Sequence, residues 1–154
     1  MKSILISIKP KWCELIAKRA QTVEVRSKKP PESTPFKVYI YCTGVKGLPL
    51  AEYVNIHAAT GGVIDDWSGK IIGEFVCDRI TDIEPHPEFY SKGYDIDDDL
   101  LGETCLDRET IKLYGRGGTL YGWHISDLKI YDDPLSLTYF GLAKPPQMWE
   151  YVEG

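Results

Sequence analysis

The fold of this chain is read from one run near its start: Ser3-Ile-Leu-Ile-Ser-Ile8, then Lys9-Pro10-Lys11-Trp12, then Thr22-Val23-Glu24-Val25-Arg26. Residues 3–8 are β-branched, apolar and largely alternating, which predicts a strand. Lys9-Pro10 ends it, and the sequence from Pro10 to Ala20 predicts a helix. Pro10 falls in the first turn, where a missing N–H costs nothing. Trp12, Leu15, Ile16 and Arg19 follow at helical spacing. Thr22 to Arg26 alternates again as a second strand. Val23 and Val25 are expected to face the core, and Thr22, Glu24 and Arg26 the opposite side.

Outward from this run the pattern stays short-stranded. Ser27 to Pro35, with two lysines and three prolines, predicts a loop. Phe36 to Thr43 predicts a strand with Val38, Ile40 and Cys42 on one face and Lys37, Tyr39, Tyr41 and Thr43 on the other. A short helix is expected around Leu50–His57. A strand follows over Lys70 to Cys77, continuing through Ile80 to Ile83. Residues 86–116 carry an acidic cluster (Asp95, Asp97, Asp98, Asp99), expected to be a solvated or mobile insertion, and then a helix from Asp107 to Tyr114. The turn Gly115-Arg-Gly-Gly118 leads into a long strand over Leu120 to Ile130. Asp133-Pro-Leu-Ser136 suggests a helix start, and Lys144-Pro-Pro-Gln-Met-Trp149 leads into a last strand. The expected architecture is α+β and mainly β: a small barrel of five to six mostly antiparallel strands, with an N-terminal helix and a short helical insertion. At 154 residues the chain is expected to be one domain, 1–154.

Net charge is −5, which taken alone argues against a nucleic-acid binder. Its distribution is uneven. Residues 1–49 hold ten lysines and arginines against three acids, a net of +7, and residues 50–154 a net of −12. Such a split suggests an anion-binding face on the N-terminal third, since the local field steers a phosphate-bearing ligand. No apolar run reaches the roughly 18–20 residues of a membrane span. The N-terminus is a strand pattern and not a signal peptide, so a cytoplasmic protein is expected. The cysteines at 13, 42, 77 and 105 form no C-x-x-C pair, and His57, His86 and His124 are isolated. No metal and no cofactor are therefore expected, and Cys42 and Cys77 are expected to be buried reduced thiols.

The order of these elements resembles the ASCH domain family of the PUA-like superfamily. The signature of that family, Gly-x-Lys-x-x-Glu-x-Arg, aligns with Arg19-Ala-Gln21-Thr-Val-Glu24-Val-Arg26. Glu24 and Arg26 match, whereas Arg19 stands at the glycine position and Gln21 at the lysine position. Lys37 to Thr43 and Gly69 to Val76 look like the family's next core strands. Tyr121 to Ile130 with Lys144 to Trp149 resembles the closing region of its phage and prophage members. The resemblance implies a PUA-like barrel whose cleft, lined by the Glu-x-Arg strand, binds RNA or a modified nucleoside. Some members are similar to amidohydrolases acting on acetylated cytidine, with a Lys at the position of Gln21, a Thr at that of Glu24 and a Glu at that of Glu74. Only Glu74 is kept, and the Gln21 amide cannot titrate as a proton shuttle.

Three functions are open at this point. The first is binding of single-stranded RNA or a nucleotide. Lys9, Lys11 and Arg26 would meet phosphate, the helix start would add backbone N–H groups, Trp12 and Tyr41 would stack on bases, and Gln21 and Thr43 would complete the cleft. The second is an enzyme acting on RNA or a modified nucleoside, with Glu74, Glu24 and His124 as its titratable candidates. The third is an acidic protein-interaction module.

Overall fold

The computed structural model describes residues 2–154. The elements run β1 (Lys2–Ile8), α1 (Pro10–Ala17), β2 (Val23–Arg26), β3 (Phe36–Cys42), α2 (Leu50–Ala59), α3 (Ile64–Trp67), β4 (Lys70–Pro85), α4 (Phe89–Lys92), β5 (Tyr94–Asp95), α5 (Asp98–Thr104), α6 (Arg108–Gly115), β6 (Leu120–Leu135), a 3-10 turn (Leu137–Phe140) and β7 (Trp149–Glu153). No helix among the described residues is long and apolar enough to cross a membrane.

The α+β expectation stands, but the barrel is not closed. Among the described residues the sheet has seven strands in the order β2-β6-β4-β3-β1-β7, with β5 attached to β4, and its two end strands do not pair with each other. The strand count exceeds the expected five to six because of β5, a two-residue strand too short to give a periodic signal. All pairings are antiparallel except β1 with β3. That parallel pair needs a crossover, and α1 with β2 fills it.

Long β4 and β6, 16 residues each, form the backbone of the sheet. Their register slips at three places, between Ile71 and Gly73, Glu74 and Val76, and Cys77 and Ile80. Such irregularities bend and twist a strand pair, and here they allow the sheet to curl around the main core. That core holds Ile4, Ile6 and Ile8 of β1, Val38, Ile40 and Cys42 of β3, Phe75 and Cys77 of β4, and Trp123 of β6, with Cys13 and Ile16 of α1 plugging one end. Gly73 sits where β4 approaches β6 closely: a Cβ there would collide with the Lys129 carbonyl oxygen. All four cysteines are free thiols, with Cys42 and Cys77 buried as expected. Burial pushes the Cys77 thiol up to about 12.

Two further cores explain where the alternation misleads. Tyr39 and Tyr41 are not on a solvated face. They are buried with Leu5, Ile71 and Val152 under the 3-10 turn and the segment around Leu142. Val23 and Val25 are buried as expected, but Val25 belongs to a second core, where it packs with Ile83, Tyr94, Ile96, Ile111 and Leu120 beneath the 86–116 insertion. Both faces of the sheet are covered, so a polar–apolar alternation cannot tell inside from outside.

Asp95, Asp97, Asp98 and Asp99 are exposed, in keeping with a solvated cluster, but the segment also carries defined helices whose starts are served by aspartates. Asp97 caps α5 by accepting from Leu100 N at 2.7 Å, and Asp107 caps α6 by accepting from Thr110 N at 2.7 Å. Asp98 pairs with Arg108 at 2.8 Å. The acidic cluster is thus mostly helix-start chemistry. The short helix start expected over Asp133–Ser136 lies at the end of that run: β6 continues to Leu135, and Ser136 caps a 3-10 turn, its side chain accepting from Thr138 N.

Arg19 lies just beyond α1 with φ of 63°, a left-handed conformation that costs a side-chain-bearing residue. Its two side-chain hydrogen bonds, to Ala17 O and Leu128 O at 3.3 Å, are exposed. Arg19→Gly is therefore expected to stabilise the fold by about 0.5–1 kcal/mol, measured as a shift of the urea midpoint at unchanged slope.

Candidate functional site

Beside β2, the end strand of the sheet path, lies a cleft of about 410 Å³. One wall comes from the end of β1 and the start of α1, with Ser7, Lys9 and Trp12. The floor is Gln21, Glu24, Val25 and Arg26. Thr43 closes one end just past β3, and Gln147 from the segment before β7 joins it. The far wall is the insertion, through Thr104, Leu106, Thr110 and Tyr114.

The floor is built around one carboxylate. Glu24 is 7 % exposed. Its Oε2 accepts from Arg26 Nε at 2.8 Å and from Arg26 Nη2 at 2.7 Å. Its Oε1 accepts from Gln21 Nε2 at 2.8 Å. Arg26 Nη2 also donates to the Ser7 carbonyl at 2.6 Å. Ser7 is on β1, four strands away from β2 along the sheet, so the curl brings the two together and the guanidinium spans the gap. The i, i+2 spacing of Glu24 and Arg26 places both on one side of β2. Their cross-strand partners, Trp123 and Tyr121, both contribute to the main core, so the pair points into the curl of the sheet. Val23 and Val25, on the opposite side of β2, are buried as alternation expects, Val25 within the second core.

Six of the expected site residues therefore share the cleft as binding candidates or as Glu24: Lys9, Trp12, Gln21, Glu24, Arg26 and Thr43. Lys11 does not line it; its ammonium lies 4.8 Å from the Trp12 ring centroid. Tyr41 is buried in the core on the other side of β3, where burial raises its hydroxyl pKa. Glu74 is also elsewhere. It accepts from Tyr131 at 2.7 Å and pairs with Lys37 at 2.9 Å. Burial raises its carboxyl pKa, but the hydrogen bonds from Tyr131 and Lys37, together with the charges of Lys37 and Lys129, hold it below the ordinary range. His124 stands on β6 opposite Val23, 7 % exposed, with Nε2 at 2.8 Å from Thr81 Oγ1. Burial first, and Arg79 second, push its pKa down.

The cleft is only weakly cationic. Its charged lining is Lys9 and Arg26 against Glu24, and Arg26 is already paired. The start of α1 offers less than a full anion cradle. Pro10 has no N–H, and the Trp12 and Cys13 amides both donate to the Lys9 carbonyl. The lysine-rich N-terminal third is therefore spread over the molecule: Lys37 serves Glu74, Lys29 faces Asp82 at 3.8 Å, and Lys18 pairs with Glu14 at 3.0 Å. Sequence reasoning missed Ser7, Gln147 and the whole insertion wall. No local pattern marks them, since each reaches the cleft only through the curl or through docking of α5 and α6. Among the described residues no group of three His, Cys, Asp or Glu side chains is placed to hold a metal ion.

No family model matches the chain, and no curated protein sequence does. Solved structures do match. The crystal structure of ASCH from Zymomonas mobilis superposes with a TM-score of 0.64 at 16% identity, over 98% of this chain and 87% of that one. The fold is that of the ASCH domain. A tyrosine-to-phenylalanine mutant of the same Zymomonas mobilis protein matches with a TM-score of 0.66 over 99% of this chain and 91% of its own. A serine-to-alanine mutant matches with 0.65 over 98% and 88%. Both are 16% identical to this chain. In this ASCH fold the run aligned with the Glu-x-Arg signature forms the floor of the cleft.

Two outcomes follow from the pairing and burial. Arg26→Met should cost about 3–5 kcal/mol by stranding the Glu24 charge, and Glu24→Gln added to it should recover much of that loss; equilibrium urea unfolding of both variants checks this. For His124 the unfolded chain binds the proton more readily than the native state does. Its contribution to stability is thus fully present above its ordinary 6.5 and is lost as pH falls below it. Comparing unfolding at pH 7.5 and 5.0, a His124→Asn variant should show a smaller acid-side loss than the parent protein.

Proposed function

We propose that this chain is an ASCH-domain protein, one domain over 1–154, that acts in the cytoplasm by holding single-stranded RNA or a nucleotide in the cleft beside β2. The observation that carries this reading is the convergence of Lys9, Trp12 and Thr43 with the Gln21–Glu24–Arg26 floor around one hollow of about 410 Å³. An exposed lysine at the rim suits a phosphate, and a half-buried indole suits a base, the combination that single-stranded nucleic acid requires.

The placement favours binding over catalysis. Of the three titratable candidates, only Glu24 reaches the cleft, and both of its oxygens already accept from Gln21 and Arg26. Glu74 and His124 have partners of their own elsewhere. The acidic interaction module has no comparable feature in its favour, because Asp97 and Asp107 of the acidic stretch cap their own helices.

The test is fluorescence-anisotropy binding of labelled single-stranded RNA across a salt series. The expected result is salt-dependent binding without cleavage. Lys9→Gln should weaken it uniformly and lower the salt slope by about one. Trp12→Leu should cost about 1–3 kcal/mol. Lys129→Gln, on the Glu74 side of the sheet, should leave binding unchanged. RNA that binds the Lys9 and Trp12 variants as tightly as the parent would show that the cleft is not the site.

A further inference from the structure

The floor of the cleft contains one polar atom with nothing to bond. Gln21 is 3 % exposed and lines the cleft. Its Nε2 donates to the Val23 carbonyl at 3.1 Å and to Glu24 Oε1 at 2.8 Å. Its Oε1 is buried and has no hydrogen-bond partner among the described residues. Reversing the amide does not help: the oxygen would then face two acceptors, the Val23 carbonyl and the Glu24 carboxylate. The network therefore fixes which end is the nitrogen. A buried carbonyl without a donor is costly, and a donor supplied through the cleft would remove that cost.

Next to it stands an unused donor. Arg26 engages Glu24 and Ser7 through Nε and Nη2, while its Nη1 has no partner among the described residues. Gln21 and Arg26 hold the two oxygens of the same carboxylate, so an open acceptor and an open donor flank one small group. With Arg26 neutralised by Glu24, the floor is poorly suited to a phosphate and well suited to an uncharged polar edge.

We propose that Gln21 is the specificity-determining residue of this cleft: its Oε1 accepts an N–H from the edge of a bound nucleobase, and Arg26 Nη1 donates to the neighbouring ring-nitrogen or carbonyl acceptor. The inference rests on the nucleotide-binding reading above. The ligand goes in base first, with its phosphate left at the Lys9 rim. The chemistry required is an N–H beside an acceptor on a planar heterocycle. Uracil and guanine provide it with a ring N–H, cytosine and adenine with an amine.

Gln21→Lys isolates the acceptor. A lysine ammonium can still donate to Glu24 and to the Val23 carbonyl, but it has no lone pair to offer. The experiment is a double cycle by isothermal titration calorimetry. Single-stranded tetranucleotides of each base are first titrated into the parent protein. The tightest is then remade with its edge N–H groups methylated, and both forms are titrated into the parent and Gln21→Lys. The expected result is that either change alone weakens binding about 10-fold or more. Both together should weaken it no further than one, because they delete the same bond. Added positive charge, or a general disturbance of the fold, would act on both ligands alike and cancels in the cycle. Independent, multiplicative losses, or a Gln21→Lys variant that binds the unmethylated ligand as well as the parent does, would overturn the assignment of Gln21 and leave nucleotide binding intact. No binding of any tetranucleotide to the parent would overturn both.

Discussion

The Glu24 carboxylate is the point on which both the shape of the cleft and its chemistry depend. It is nearly buried, so it needs its charge balanced and its oxygens filled. Arg26 does the first, and Arg26 and Gln21 together do the second. Because Arg26 also reaches the Ser7 carbonyl, the same guanidinium ties β2 to β1 across the open side of the sheet. An open seven-stranded sheet thus gains, through one side chain, part of the closure that backbone pairing does not provide. The cleft lies at this junction because the two strands meet there by side chain and not by a hydrogen-bonded ladder, which leaves space between them.

The insertion between β4 and β6 gives the cleft its second wall. It is held by its own small core around Ile111, Tyr94 and Ile83 and by capping aspartates at the starts of α5 and α6. The Thr22 amide donates to the Glu103 carbonyl at 3.0 Å, joining the insertion to the stretch just before β2. An element that looks like an acidic surface excursion is therefore part of the site. It contributes hydroxyls and apolar side chains and no cation, in keeping with a cleft that is nearly neutral at its floor.

Much of this was legible before any coordinates. The early strand, Lys-Pro, helix and Glu-x-Arg strand, with the strand after them, placed Lys9, Lys11, Trp12, Gln21, Arg26, Tyr41 and Thr43 around one cleft beside Glu24, and the structure gathers all of these except Lys11 and Tyr41 around one hollow. The i, i+2 spacing was enough to put Glu24 and Arg26 on one face. Other readings failed for a common reason: they took polar positions on a strand to mean an exposed or functional face. Tyr41 and Glu74 sit on a second covered face of the sheet, and His124 is turned away from the cleft on β6.

What local sequence determined was which segments extend, where α1 begins, and which pair of side chains on β2 must act together. These depend on contacts a few residues apart: alternation, helix periodicity and capping. Tertiary structure alone decided which side of each strand is the inside, that Ser7, Gln147 and the insertion complete the cleft, and that the N-terminal lysines disperse to separate partners. Those outcomes come from the curl of the sheet, set by register slips between β4 and β6 and by layers packed on both of its faces. Neither leaves a periodic mark in the chain.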